Sequence, residues 1–136
     1  MLRRLLIAGL VTLCTSCNIQ TAVETKGVLE VQKLKTYEQA SYTLIDVRVT
    51  NRSSHYITGY RIKADFFDSS GSYLANKETA GKNVGPNQSD TTQFFLKDVS
   101  PYQVGSWKLS VDTVYVQNSN DQYHDATRAF TVVDVK

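Results

Sequence analysis

Two histidines, one Cys-x-x-Cys pair and one oxygen-rich run are the parts of this chain whose residue types could do chemistry. His55 closes Asn51-Arg52-Ser53-Ser54-His55, beside two serines. A Ser-His-Asp arrangement needs a nucleophile within hydrogen-bond reach of the imidazole and a carboxylate that orients the ring. The chain has no G-x-S-x-G turn to present such a serine, so His55 reads as a turn residue. His124 lies in Asn118-Ser119-Asn120-Asp121-Gln122-Tyr123-His124-Asp125. Calcium takes several carboxylate and carbonyl oxygens. The run offers them but lacks the glycine and closing glutamate of an EF-hand loop, and one histidine is too few for a zinc site. Cys14 and Cys17 have redox or metal spacing without a second ligand pair or a βαβ context. These residues predict no catalytic site, no metal and no cofactor.

Contact chemistry is better represented. The chain has eight tyrosines, and tyrosine offers large contact area at low entropy cost. Tyr37, Tyr56, Tyr102 and Tyr123 fall in or near expected loops, whereas Trp107 is expected in the core. Of these, Tyr56 and Tyr123 adjoin the two histidines. His55, Tyr56, Tyr123 and His124 are therefore the expected partner-binding residues, provided the fold brings their loops together. Charge argues against nucleic acid as the partner. Without Arg3 and Arg4 the 15 basic residues become 13, against 13 acidic ones, so the remainder exerts no general pull on a polyanion.

The elements that must position these residues read as strands. At 41% hydrophobic and 21% charged, 136 residues suffice for one domain with its own core. Val28–Lys35 is a plausible first strand. In Tyr42–Thr50, Ile45, Val47 and Val49 oppose Asp46 and Arg48. In Ile57–Phe67, Tyr60, Ile62, Ala64 and Phe66 oppose Arg61, Lys63 and Asp65. Asp68-Ser69-Ser70-Gly71 is a tight turn, and Ser72–Thr79 returns from it. Gly81–Gln88 reads as a loop. Thr91–Leu96, Trp107–Val116 and Arg128–Val135 complete seven strands, with Asn118–Asp125 as a polar hairpin loop. The expected fold is all-β: a seven-stranded antiparallel immunoglobulin-like β-sandwich over residues 27–136. A small closed barrel is the other solution. An immunoglobulin-like topology can gather Asn51–Tyr56 and Asn118–Asp125 at one end.

The first residues form an address rather than part of the domain. Arg3 and Arg4 precede the apolar run Leu5–Leu13, nine residues long and too short to span a bilayer. Thr15-Ser16-Cys17 follows. This resembles the bacterial lipoprotein signal, in which small residues precede the cysteine that is lipidated; Cys14 stands where leucine is usual. The resemblance implies a signal peptide over residues 1–16 and a lipid on Cys17; the polar run Asn18–Lys26 reads as a tether, so residues 17–26 are the lipidated cysteine and its tether. The resemblance also implies a membrane partner reached through that anchor. Asn18 after the cysteine implies the outer membrane, with the domain facing the periplasm.

A second resemblance covers about Val47 to Phe95. Val49-Thr50-Asn51, then Tyr60-Arg61-Ile62-Lys63-Ala64-Asp65-Phe66-Phe67-Asp68, Gly71 and Gly85-Pro86-Asn87-Gln88-Ser89 resemble the FxLYD-type immunoglobulin-like domains. They also resemble the YcfL-like periplasmic lipoproteins. The chain departs from the family tripeptide around Asp65-Phe66-Phe67. These families imply exported interaction or accessory domains and bring no catalytic residues. The expectation is a non-catalytic cell-envelope lipoprotein with an envelope protein partner. The alternative is an inhibitor of an envelope-attacking enzyme such as lysozyme.

Overall fold

The computed structural model describes residues 26–136 apart from 119 and 121. The expected signal peptide over residues 1–16, Cys17 and the tether through residue 25 lie outside the described residues. Strands dominate: β1 (Gly27–Gln39), β2 (Tyr42–Asn51), β3 (Tyr56–Phe67), β4 (Tyr73–Val84), β5 (Ser89–Lys97), β6 (Ser106–Gln117), β7 (Tyr123–Asp125) and β8 (Phe130–Val135). Single 3-10 turns lie at Pro101–Gln103 and Thr127–Ala129. Two four-stranded sheets result, in the orders β5-β2-β1-β8 and β4-β3-β6-β7.

The sheets pack face to face because alternate side chains of each strand are apolar. Ile45, Val47 and Val49 of β2, with Phe94 and Leu96 of β5, are fully buried. Ile62, Ala64 and Phe66 of β3 are fully buried opposite them, and Tyr60 nearly so. Phe66 meets Phe94 edge-on at 5.5 Å between ring centroids, tying the two layers together. The chain is therefore a β-sandwich, and its strand order fits an immunoglobulin-like description.

Four details correct the expectation. Among the described residues eight strands replace the expected seven, because the loop expected at Asn118–Asp125 ends in β7. That segment lies at a sheet edge with Tyr123, His124 and Asp125 all exposed, so no alternation marks it. The closing strand also changes sheets. After β7 pairs with β6, the Thr127–Ala129 turn carries the chain across, and β8 runs parallel to β1. The fold is thus not wholly antiparallel.

Further, β4 continues to Val84 through the expected Gly81 loop, since it pairs with β3 along its length. Gly81 fits there because it has no side chain: a Cβ would lie 2.4 Å from the Tyr60 hydroxyl and 2.2 Å from Asp90 Oδ2. Trp107 is only half-buried, at the margin of the sandwich. It packs on Phe66 and Phe94 while its indole N–H donates to Asp134 Oδ2 at 2.6 Å. Its N–H is thus satisfied by β8 at the rim.

One irregularity controls the outer surface. Opposite β3, Ile62 pairs with Val111 but Arg61 pairs with Thr113, leaving Asp112 as a bulge in β6. Leu109 and Val111 turn inward before it; Val114 and Val116 are buried after it. The bulge shifts the alternation by one residue and turns Tyr115 outward.

Candidate functional site

Asn51 builds the first half of the site. It ends β2 and is fully buried. Its carboxamide nitrogen donates to the His55 carbonyl at 2.7 Å and the Val84 carbonyl at 2.9 Å. Its carboxamide oxygen accepts from the Ser53 N–H at 2.9 Å and the Ser53 hydroxyl at 2.7 Å. All four hydrogen-bonding positions of the amide are used. The loop from Asn51 to His55 is therefore pinned from beneath, and the chain leaves it at Tyr56 as the first residue of β3. With its proton given to Asn51, the Ser53 hydroxyl accepts from the His55 main-chain N–H at 3.2 Å rather than serving the imidazole.

Asn118 builds the second half. Its side-chain oxygen accepts from the N–H groups of Asn120 and Gln122 at 2.9 and 3.0 Å, and its own N–H donates to the Gln122 carbonyl. Among the described residues there is no group of three or more His, Cys, Asp or Glu placed to hold a metal. The turn delivers Tyr123 onto β7. Asp125 then anchors the next turn, accepting from the Thr127 hydroxyl at 2.6 Å and the Thr127 N–H at 2.9 Å. That hydroxyl, and after it that N–H, hold the Asp125 carboxyl below the usual carboxylate range.

The sheet register brings the halves together. Tyr56 pairs with Gln117, and Gln117 pairs with Tyr123, so the three stand in one row across β3, β6 and β7. His124 stands one step along, paired with Val116. A hollow of about 520 Å³ is lined by His55, Tyr56, Asn118 and His124 among others. A second, of about 580 Å³, takes in Tyr56, Tyr115 and Tyr123. Tyr56 and Gln117 border both. The structure thus places His55, Tyr56, Tyr123 and His124 around one end of the sandwich.

The chain matches no family model and no curated protein. Its fold is similar to that of IrmA from Escherichia coli. The TM-score is 0.58, with 12% identity, over 82% of this chain and 95% of that one. At that identity the likeness shows a shared fold and carries no residue role across.

Other tyrosines expected at loops lie elsewhere. Tyr37 is within β1, where its hydroxyl accepts from Gln93 Nε2 at 2.9 Å. Tyr102 is 96% exposed in the Pro101–Gln103 turn, at the opposite end. Sequence reasoning missed Tyr115. An unbroken alternation from Trp107 carries it to the inner face; only the Asp112 bulge turns it out. It missed Gly59 and Asn83 as well, which face the same hollow.

Proposed function

We propose that this chain is a non-catalytic binding or accessory domain of the cell envelope. It is held by a lipid on Cys17 to the periplasmic face of the outer membrane. Tyr56, His55, Tyr123 and His124 are its contact residues for an envelope protein. One observation carries this reading: two loops distant in sequence are fixed side by side, and both turn aromatic and imidazole groups outward. Tyr56 is 39% exposed and Tyr123 74%, which costs favourable burial unless a partner covers them. The Ser53 hydroxyl is bonded to Asn51 and to the His55 main chain, which speaks against its serving the His55 imidazole as a nucleophile.

The test is capture from envelope extract on immobilised chain, comparing wild type with the Tyr56→Ala/Tyr123→Ala double variant. The expected outcome is a protein retained by the wild type and lost by the variant, with circular dichroism unchanged. Equal capture by both eliminates this surface. Lysozyme inhibition by the wild type and not by the variant would identify the partner as an envelope-attacking enzyme.

A further inference from the structure

The second hollow has a chemical character of its own. It lies on the outer face of the β4-β3-β6-β7 sheet. Tyr56 and Tyr123 flank Gln117 in one cross-strand row, and Tyr115 stands opposite Gly59 in the next. Asn83, on β4, borders the far side in left-handed backbone conformation, with φ of 60°. None of the residues lining the hollow carries a formal charge.

Elsewhere in the fold, Tyr42 meets Phe95 and Tyr73 meets Phe67, whereas Tyr102 is exposed by itself in its turn. Tyr56, Tyr115 and Tyr123 have neither a ring contact nor a hydroxyl hydrogen bond among the described residues, and the Asn83 carboxamide is equally free there. Gly59 leaves the floor open. A Cβ built on it would meet nothing nearer than the Gly81 carbonyl oxygen at 4.0 Å, so the glycine is not required by packing. Its effect is to expose flat backbone between the tyrosine rings.

We propose that this groove binds an uncharged saccharide chain. The claim deepens the binding role assigned to this end of the sandwich and rests on it. Pyranose rings present apolar C–H faces that stack on aromatic rings, while their hydroxyl and acetamido groups seek neutral donors and acceptors. Three unpaired tyrosines and a free carboxamide around a shallow floor supply both. A phosphorylated or acidic ligand would need a cation, and the lining has none. Tyr115 and Gly59 belong to this groove and not to the hollow of His55 and His124, which separates the two uses of the surface.

The experiment is titration of the purified full-length chain with triacetylchitotriose and with maltotriose, followed by tyrosine fluorescence and calorimetry. A zwitterionic detergent without a sugar headgroup keeps the anchor in solution. Saturable binding of either sugar, unchanged by added salt, is the expected result. Tyr115→Ala should weaken it roughly tenfold, the equivalent of ~1.4 kcal/mol. Gly59→Val, which the open space tolerates, should block it with the fold intact. Tyr102→Ala, in the exposed turn at the opposite end, should leave it unchanged. Absence of saturable binding of both sugars overturns the proposal, as does binding that Tyr115→Ala and Gly59→Val leave intact. A neutral proline-rich peptide that binds the groove where both sugars fail also overturns it. Should the envelope partner still be captured through Tyr56 and Tyr123 in those cases, the broader binding role stands and only the saccharide assignment falls.

Discussion

At Asn51 a single buried amide ties its own loop and the end of β4 to one point. Its bonds reach His55, Val84 and Ser53. Asn51→Ala strands the Val84 carbonyl and the Ser53 N–H, and should cost about 2–3 kcal/mol in urea denaturation. Asn51→Asp keeps the acceptor bonds from Ser53 but sets a carboxylate oxygen against the His55 and Val84 carbonyls in a fully buried place, so its cost should be at least as large. Tyr60 shows a different dependence. Its hydroxyl donates to Asp90 Oδ2 at 3.0 Å across the gap between β3 and β5. Burial first, then the Asp90 charge and that hydrogen bond, raise its pKa above the ordinary value of 10.0. A raised native value means the contribution is whole below pH 10.0 and is lost as the pH climbs past it. Spectrophotometric titration should show one tyrosine ionising only as the chain unfolds at alkaline pH, and Tyr60→Phe should remove that late component.

At the scale of elements, β3 is the strand on which both the core and the contact surface depend. Its even-numbered positions from Tyr60 to Phe66 are buried, while Arg61 and Lys63 face out toward Asp112 at 3.8 and 2.9 Å. Phe66→Ala should cost ~3–5 kcal/mol by chemical denaturation. Arg61→Ala should cost under ~1 kcal/mol, since its ion pairs are long and exposed. The reverse order would contradict the observed register. Local alternation made the faces of β2 and β3 legible: Val47 and Ile62 each stand in the middle of an uninterrupted period of two. It could not show the phase of β6 beyond Asp112. A bulge is defined by what the partner strand pairs with, and nothing in Ser110-Val111-Asp112-Thr113 distinguishes it from regular strand.

At the scale of the whole molecule, the end carrying His55 and Tyr56 is also where β1 begins. The Arg52 N–H donates to the Val28 carbonyl, and a Cβ on Gly27 would lie 2.8 Å from Ser53 Cβ. Under the proposed anchoring, the nine residues Asn18–Lys26 separate the lipid from this end, a reach of at most ~30 Å. The contact residues would then lie at the tethered end of the domain. Cys17→Ser should abolish palmitate labelling and release the chain from the membrane fraction. Undiminished labelling in that variant would rule out Cys17 as the acceptor.

The sequence by itself determined the strand-rich character, the inward set from Ile45 to Phe66 and the turns at Asn51 and Asp68. These follow from side chains alternating along one strand and from residues that stabilise their own local turn. The tertiary structure alone decided that β8 crosses over to run parallel to β1, that Tyr115 faces outward and that His55, Tyr56, Tyr123 and His124 share one end. Each of those depends on which strands become neighbours and in what register. The hydrogen bonds that settle it join residues dozens of positions apart, where no local pattern in the chain reaches.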